Sequence, residues 1–133
     1  MNPKVSIIPS CTVVATDLDF GNPAPGTTTI DTTSDLTVRC THTTTFVMLI
    51  DRGDNQLGQQ RRMKGTTGDF VNYTIFRNAN RTQDWGSSRQ SGRPGNAVAL
   101  TPKVYTVYGR IPTLNVANLQ GSYLDTVTVT LEF

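Results

Sequence analysis

The residues able to do chemistry are few and widely spaced. His42 is the only histidine, flanked by threonines in "CTHTTTF", and no serine or cysteine near it sits in a hydrolase setting. It reads as an ordinary loop residue. Asp17 and Asp19 stand two apart, which on a strand would place both carboxylates on one face, yet acid–base catalysis needs a second partner and a pocket. A turn or loop role is the simpler reading. Cys11 and Cys40 are the only cysteines, and with a single histidine at this spacing they fit no zinc pattern. The expectation is a protein with no catalytic residues, no metal and no cofactor.

Other polar signals also have plain readings. Arg52, Gly53 and Asp54 in "DRGDN" spell a tripeptide known from integrin ligands, but Asp, Gly and Asn after "FVMLI" more simply make a turn. Arg61, Arg62, Arg77, Arg81, Arg89 and Arg93 are scattered among Asp69 and Asp84, with no interleaved aromatic platform. They read as solvated charge. Net charge is +2, from 12 Lys and Arg against 10 Asp and Glu, so nucleic acid is not an expected partner. Trp85 in "TQDWG" either closes one end of a core or stays exposed as a contact, and core closure is the simpler role.

Chain length and composition bound the elements that must hold these residues. A chain of 133 residues fits one domain with a single modest core, since 36% of it is hydrophobic. No apolar run reaches the roughly 18 residues of a transmembrane helix, so no membrane insertion is expected. "MNPKVSIIPS" is no secretion signal either, and an exported protein would have lost one. Glu occurs once and Lys three times, while Thr recurs in runs, so good helix formers are scarce and strand formers plentiful. The class is all-β.

Candidate strands are "KVSII", "CTVVA", "LDFG", "DLTVRC", "FVMLID", "FVNYTIFR", "KVYTVYGRI" and "YLDTVTVTLEF", parted by Gly, Pro, Asn and Asp clusters. In the last, Val127, Val129, Leu131 and Phe133 share one face and Thr126, Thr128, Thr130 and Glu132 the other. "FVMLI" is apolar on both faces, as in the middle of a sandwich. Two polar stretches, "GNPAPGTTTIDTTS" and "RNANRTQDWGSSRQSGRPGNA", read as loops or edge excursions. Cys11 opens one strand and Cys40 closes another, so a disulfide would tie the two if they pair. That favours an oxidising compartment over a pair of free thiols.

Taken together, "CTVVATDLDFGN", "LTVRCT", "GTTGDFVNYTIFRNANRTQDWG" and "YGRIPTLNVANLQGSYLDTVTVTLEF" resemble the spore coat protein U domain family, which includes subunits of archaic chaperone-usher pili. The similarity runs from Cys11 to Phe133. It implies an incomplete immunoglobulin-like β-sandwich, six strands plus a donated seventh, over residues 11–133, preceded by an N-terminal extension at 1–10. It also implies that the open sheet is an acceptor groove with Val127, Val129, Leu131 and Phe133 on one wall, filled by β-strand addition.

The expected partners are a periplasmic chaperone, an outer-membrane usher and identical or related pilin subunits in a homopolymer. The expected site is the cell surface, reached through the bacterial periplasm, with roles in adhesion and biofilm formation. Val5 and Ile7 alternate before the first cysteine and form a candidate donor strand, although Pro3 and Pro9 leave only about five residues able to pair on both edges. Alternative roles are a spore or cell coat protein and a tip adhesin domain. A tip domain would usually be followed by a second, pilin-like domain.

Overall fold

The computed structural model describes residues 1–5, 10–22, 24, 27–113 and 121–133. Its strands are β1 Cys11–Ala15, β2 Thr28–Cys40, β3 Thr44–Ile50, β4 Arg61–Gly65, β5 Phe70–Phe76, β6 Arg93–Ala97, β7 Lys103–Thr113, β8 Tyr123–Leu124 and β9 Val129–Glu132. They form a six-stranded sheet in the order β1-β2-β7-β5-β4-β8 and a three-stranded sheet in the order β6-β3-β9. Every strand pair is antiparallel.

The core follows from two-residue alternation. β2 turns Leu36, Val38 and Cys40 inward, β5 turns Val71, Tyr73 and Ile75, and β7 turns Tyr105, Val107 and Ile111. Phe46, Met48 and Ile50 of β3 face them from the smaller sheet, giving an all-β, immunoglobulin-like sandwich. Leu18 and Phe20 of "LDFG" form no strand but pack on this core, in the space that Gly109 leaves on β7.

Three further stretches correct or refine the sequence expectations. The second half of the first polar stretch is strand: β2 starts at Thr28 and pairs with β7 from Thr28↔Thr113 to Val38↔Lys103, because a threonine run suits a pleated strand once a partner lies beside it. The second contains β6, "RPGNA", an edge strand within the range of the loop-or-edge reading, and Pro94 is tolerated there because the edge leaves its side unpaired. The third concerns the end of the chain. "YLDTVTVTLEF" is not one strand, since β8 joins β4 in the large sheet and β9 joins β3 in the small one, with Asp125–Thr128 crossing between them.

Candidate functional site

β9 pairs with β3 in the register Val47↔Glu132, Met48↔Leu131, Leu49↔Thr130 and Ile50↔Val129. Asp51 N–H donates to the Thr128 carbonyl at 3.1 Å, and this fixes the phase of the ladder. Bonded pairs alternate along an antiparallel ladder, so Thr128, Thr130 and Glu132 turn their backbone groups toward β3. Val129 and Leu131 therefore turn theirs the other way. Among the described residues no strand pairs with β9 on that side.

The side chains of the same residues face the core without being covered. Leu131 stands opposite Met48, which is fully buried, and Val129 opposite Ile50, which is also buried. Yet Val127, Val129 and Leu131 are only half-buried, and Phe133 is 61% exposed. The first strand has the same defect. Val13 of β1 is half-exposed although Val38 opposite it is 0% exposed, and β1 too lacks a partner on its outer side among the described residues. Each sheet thus ends in a strand whose apolar face lacks a neighbour.

A polar network fixes where β9 begins. The Asp125 carboxylate accepts from the Tyr73 hydroxyl at 2.5 Å, from the backbone N–H of Asp54 and Asn55 at 3.1 and 3.2 Å, and from Asn55 Nδ2 at 3.0 Å. Gly53, at φ +87°, lets the turn close onto it, and a Cβ there would collide with the carboxylate. Burial first, then the Asp125 hydrogen bond and charge, push the Tyr73 phenol well above the usual tyrosine value. At the start of the same turn, Asp51 Oδ1 accepts from Gly53 N–H and from Thr128 N–H.

Behind this network lies Arg61, 1% exposed, which corrects its reading as a solvated charge. Its guanidinium donates to the carbonyls of Asp51, Ile50 and Trp85 and faces Asp84 at 3.6 Å, while Arg52 holds Asp84 at 2.8 Å. Burial, then the charge of Arg52, lowers the Arg61 pKa from its ordinary value. Trp85 is 0% exposed and donates its indole N–H to the Met48 carbonyl at 2.9 Å, so it closes the core. Nothing in a run such as "GQQRRMKG" distinguished the buried Arg61 from its half-buried neighbour Arg62.

Cys11 and Cys40 form a disulfide between directly opposed positions of β1 and β2. His42 is exposed, with Nδ1 3.0 Å from Thr41 Oγ1, and Asp19 accepts from Gly21 N–H in a turn. Val5 is 83% exposed, and Ile7 lies outside the described residues. Among the described residues no three His, Cys, Asp or Glu side chains converge as a metal site, and no helix is long and apolar enough to cross a membrane.

At the far end of β9, Phe133 lines an open cleft of about 560 Å³ between β3, β6 and the start of β7. Its walls include Phe46 and Tyr105 and three cations, Arg89, Arg93 and Lys103.

An immunoglobulin-like sandwich with an unpaired apolar edge at its last strand is the architecture of pilin-type domains. Residues 1–130 match the family model described as Spore Coat Protein U domain, and the chain belongs to that family. Among curated proteins none matches. Among solved structures the chain is similar to one in the chaperone–tip adhesion subunit pre-assembly complex from archaic chaperone-usher Csu pili of Acinetobacter baumannii. Identity is 29%, the TM-score is 0.68, and the match covers 96% of this chain and 40% of that one. This chain thus spans two-fifths of that chain's length. A chaperone–tip adhesin complex of CFA/I fimbriae matches at 14% identity and TM-score 0.48, over 90% of this chain and 41% of that one, too distantly to bear on function.

Proposed function

We propose that the protein is a structural subunit of an archaic chaperone-usher surface pilus, completed by a strand from another polypeptide along the free edge of β9. The observation that carries this is the mismatch across one ladder: Met48 and Ile50 are buried, while Leu131 and Val129 opposite them are not. An added strand would pair with the outward N–H and C=O groups of Val129 and Leu131 and cover Val127, Val129, Leu131 and Phe133. Family membership and the similarity to a chaperone–subunit complex support the same reading.

In this scheme a periplasmic chaperone lends the strand during export, an outer-membrane usher receives the subunit, and the extension of a related or identical subunit replaces the loan in the fibre. Residues 1–10, with Val5 and Ile7, serve as that extension, and 11–133 as the acceptor domain. The chain carries no catalytic role, and its fibre serves adhesion and biofilm formation outside the cell. A second reading, a tip adhesin domain, is favoured by one observation: the similar complex contains a tip adhesion subunit.

Electron microscopy and gel analysis of the purified chain test the proposal. Assembly into filaments is expected, and deletion of residues 2–8 should abolish it while the near-ultraviolet dichroism stays unchanged. Continued polymerisation of the deleted form would refute the donor role. A closed monomer that takes up no strand peptide would refute the acceptor edge.

A further inference from the structure

One edge of β7 is paired along only part of its length. On the other side of β2, the Asp35 carbonyl accepts from Thr16 N–H at 3.0 Å, so Leu36 and Val38 turn their backbone groups toward β7, and their partners Tyr105 and Lys103 turn theirs back. Val104 and Thr106 therefore face away from β2. β5 pairs with β7 only from Tyr108 onward, and among the described residues no strand reaches Val104 or Thr106 on that side. This stretch borders the open cleft of about 560 Å³. Arg93 lies 5.0 Å from the Tyr105 ring centroid and Lys103 5.3 Å from the same centroid, so two cations meet over one ring at the cleft. Arg93 donates to the Thr106 carbonyl at 3.4 Å and Lys103 to Asn96 Oδ1 at 2.8 Å, both neutral acceptors. No Asp or Glu lines the cleft, and among the described residues neither cation has an ion pair, while Arg89 at the rim is held by Glu132 at 3.0 Å. Two uncompensated cations beside the unpaired N–H of Val104 make this opening attractive to an anion.

We propose that the cleft binds an acidic saccharide, with the carboxylate or sulfate of one sugar held by Arg93 and Lys103. The volume is that of an ordinary small-ligand site, and its lining is mixed, with the amide of Asn96 and the hydroxyl of Thr45 beside Phe133, an aromatic ring that is 61% exposed. Charge-assisted bonds to the acid group supply most of the affinity. A peptide strand is a poorer occupant, because the β6 rim offers it little to pair with. Asn96 N–H donates to the Tyr105 hydroxyl oxygen at 3.2 Å, the Asn96 carbonyl accepts from that hydroxyl at 2.9 Å, and Pro94 has no N–H. A sugar needs no ladder. The cleft lies on the β6 side of β3 and the unpaired edge of β9 on the other, so saccharide binding does not depend on strand addition. It goes beyond the acceptor-edge reading and supplies a ligand class for the proposed adhesive role.

The test uses the full chain and labelled oligogalacturonate, its neutral methyl ester, a sulfated neutral oligosaccharide of the same length, oligoglutamate and inorganic sulfate. Fluorescence anisotropy at about 50 mM salt, with sulfate added as a competitor, should show an acidic saccharide binding about five- to tenfold tighter than the methyl ester. The gap should close at about 500 mM salt and in R93Q/K103Q, whose fold is checked by near-ultraviolet dichroism. K103R, which keeps the charge, should bind as wild type does. K103Q, which gives up only an exposed contact to Asn96, should lose about threefold and carries the test should the double variant unfold. Whichever of the uronate and sulfated forms binds tighter identifies the acid group, and either result supports the proposal. Equal binding of acid and ester, a gap that survives in the folded glutamine variants, or oligoglutamate or sulfate ion matching the saccharide would overturn it. Filament assembly should be unchanged in K103Q, so failure here leaves the acceptor edge standing.

Discussion

Three side chains decide how rigidly the terminal strand is presented, and each has its own measurable signature. Tyr73 donates to Asp125, the carboxylate that ends β8 and redirects the chain, so Tyr73→Phe should cost about 1.5–3 kcal/mol in urea denaturation. The Tyr73 phenol titrates above its ordinary value in the folded chain, so in the unfolded chain it ionises first, near about pH 10. Its stabilising contribution is complete below that pH and declines as the pH rises further. The difference between wild type and Y73F should therefore hold steady up to about pH 9 and shrink as the pH rises above about 10. Arg61→Lys replaces a forked guanidinium that reaches three carbonyls with a single point charge, and a loss of about 3 kcal/mol is expected by the same assay. Trp85→Ala should cost about 3–5 kcal/mol, and any assembly defect should follow the fraction unfolded, as expected of a buried residue.

At the scale of elements, β9 has two differently engaged sides, and proline can tell them apart. The N–H of Val129 points away from β3, so Val129→Pro should leave the fold near wild-type stability and reduce strand-peptide binding sharply. Thr130→Pro removes an N–H that faces β3 and should instead lower the melting temperature. Thermal melts and anisotropy on the two variants give opposite patterns if the ladder has the stated phase. Sequence alternation showed β1, β5 and β7 and the inward face of Val127, Val129 and Leu131, because each has apolar residues at every second place, and β3 showed as a continuous apolar run. It did not show β4 or β6, whose "RRMKG" and "RPGNA" are strands because neighbours impose pairing on them. Nor could it show the break at Asp125, which depends on Tyr73, 52 positions away in the chain.

For the whole molecule, the open edge and the disulfide act on the same balance of stability. The bond between Cys11 and Cys40 closes a loop of 29 residues, and its reduction should cost about 3–4 kcal/mol in the chain-entropy model. Urea titrations with and without reductant measure this directly. A bound strand acts by mass action, so the melting temperature should climb with peptide concentration, by about 2.7 kcal/mol of stability at a hundredfold excess over its dissociation constant. Family membership was legible in dispersed residues such as the two cysteines, "DLDFG", "TQDWG" and "GSYLD". The cationic cleft was not, because Arg89, Arg93 and Lys103 converge only when β6 folds beside β7.

The passage of one backbone from β8 into β9 has a mechanical result. Tension applied along a strand lodged beside β9 would load in shear, together, the bonds to Val129 and Leu131, and hand the force through Asp125 to the opposite layer. A tether attached in that way resists being peeled apart bond by bond.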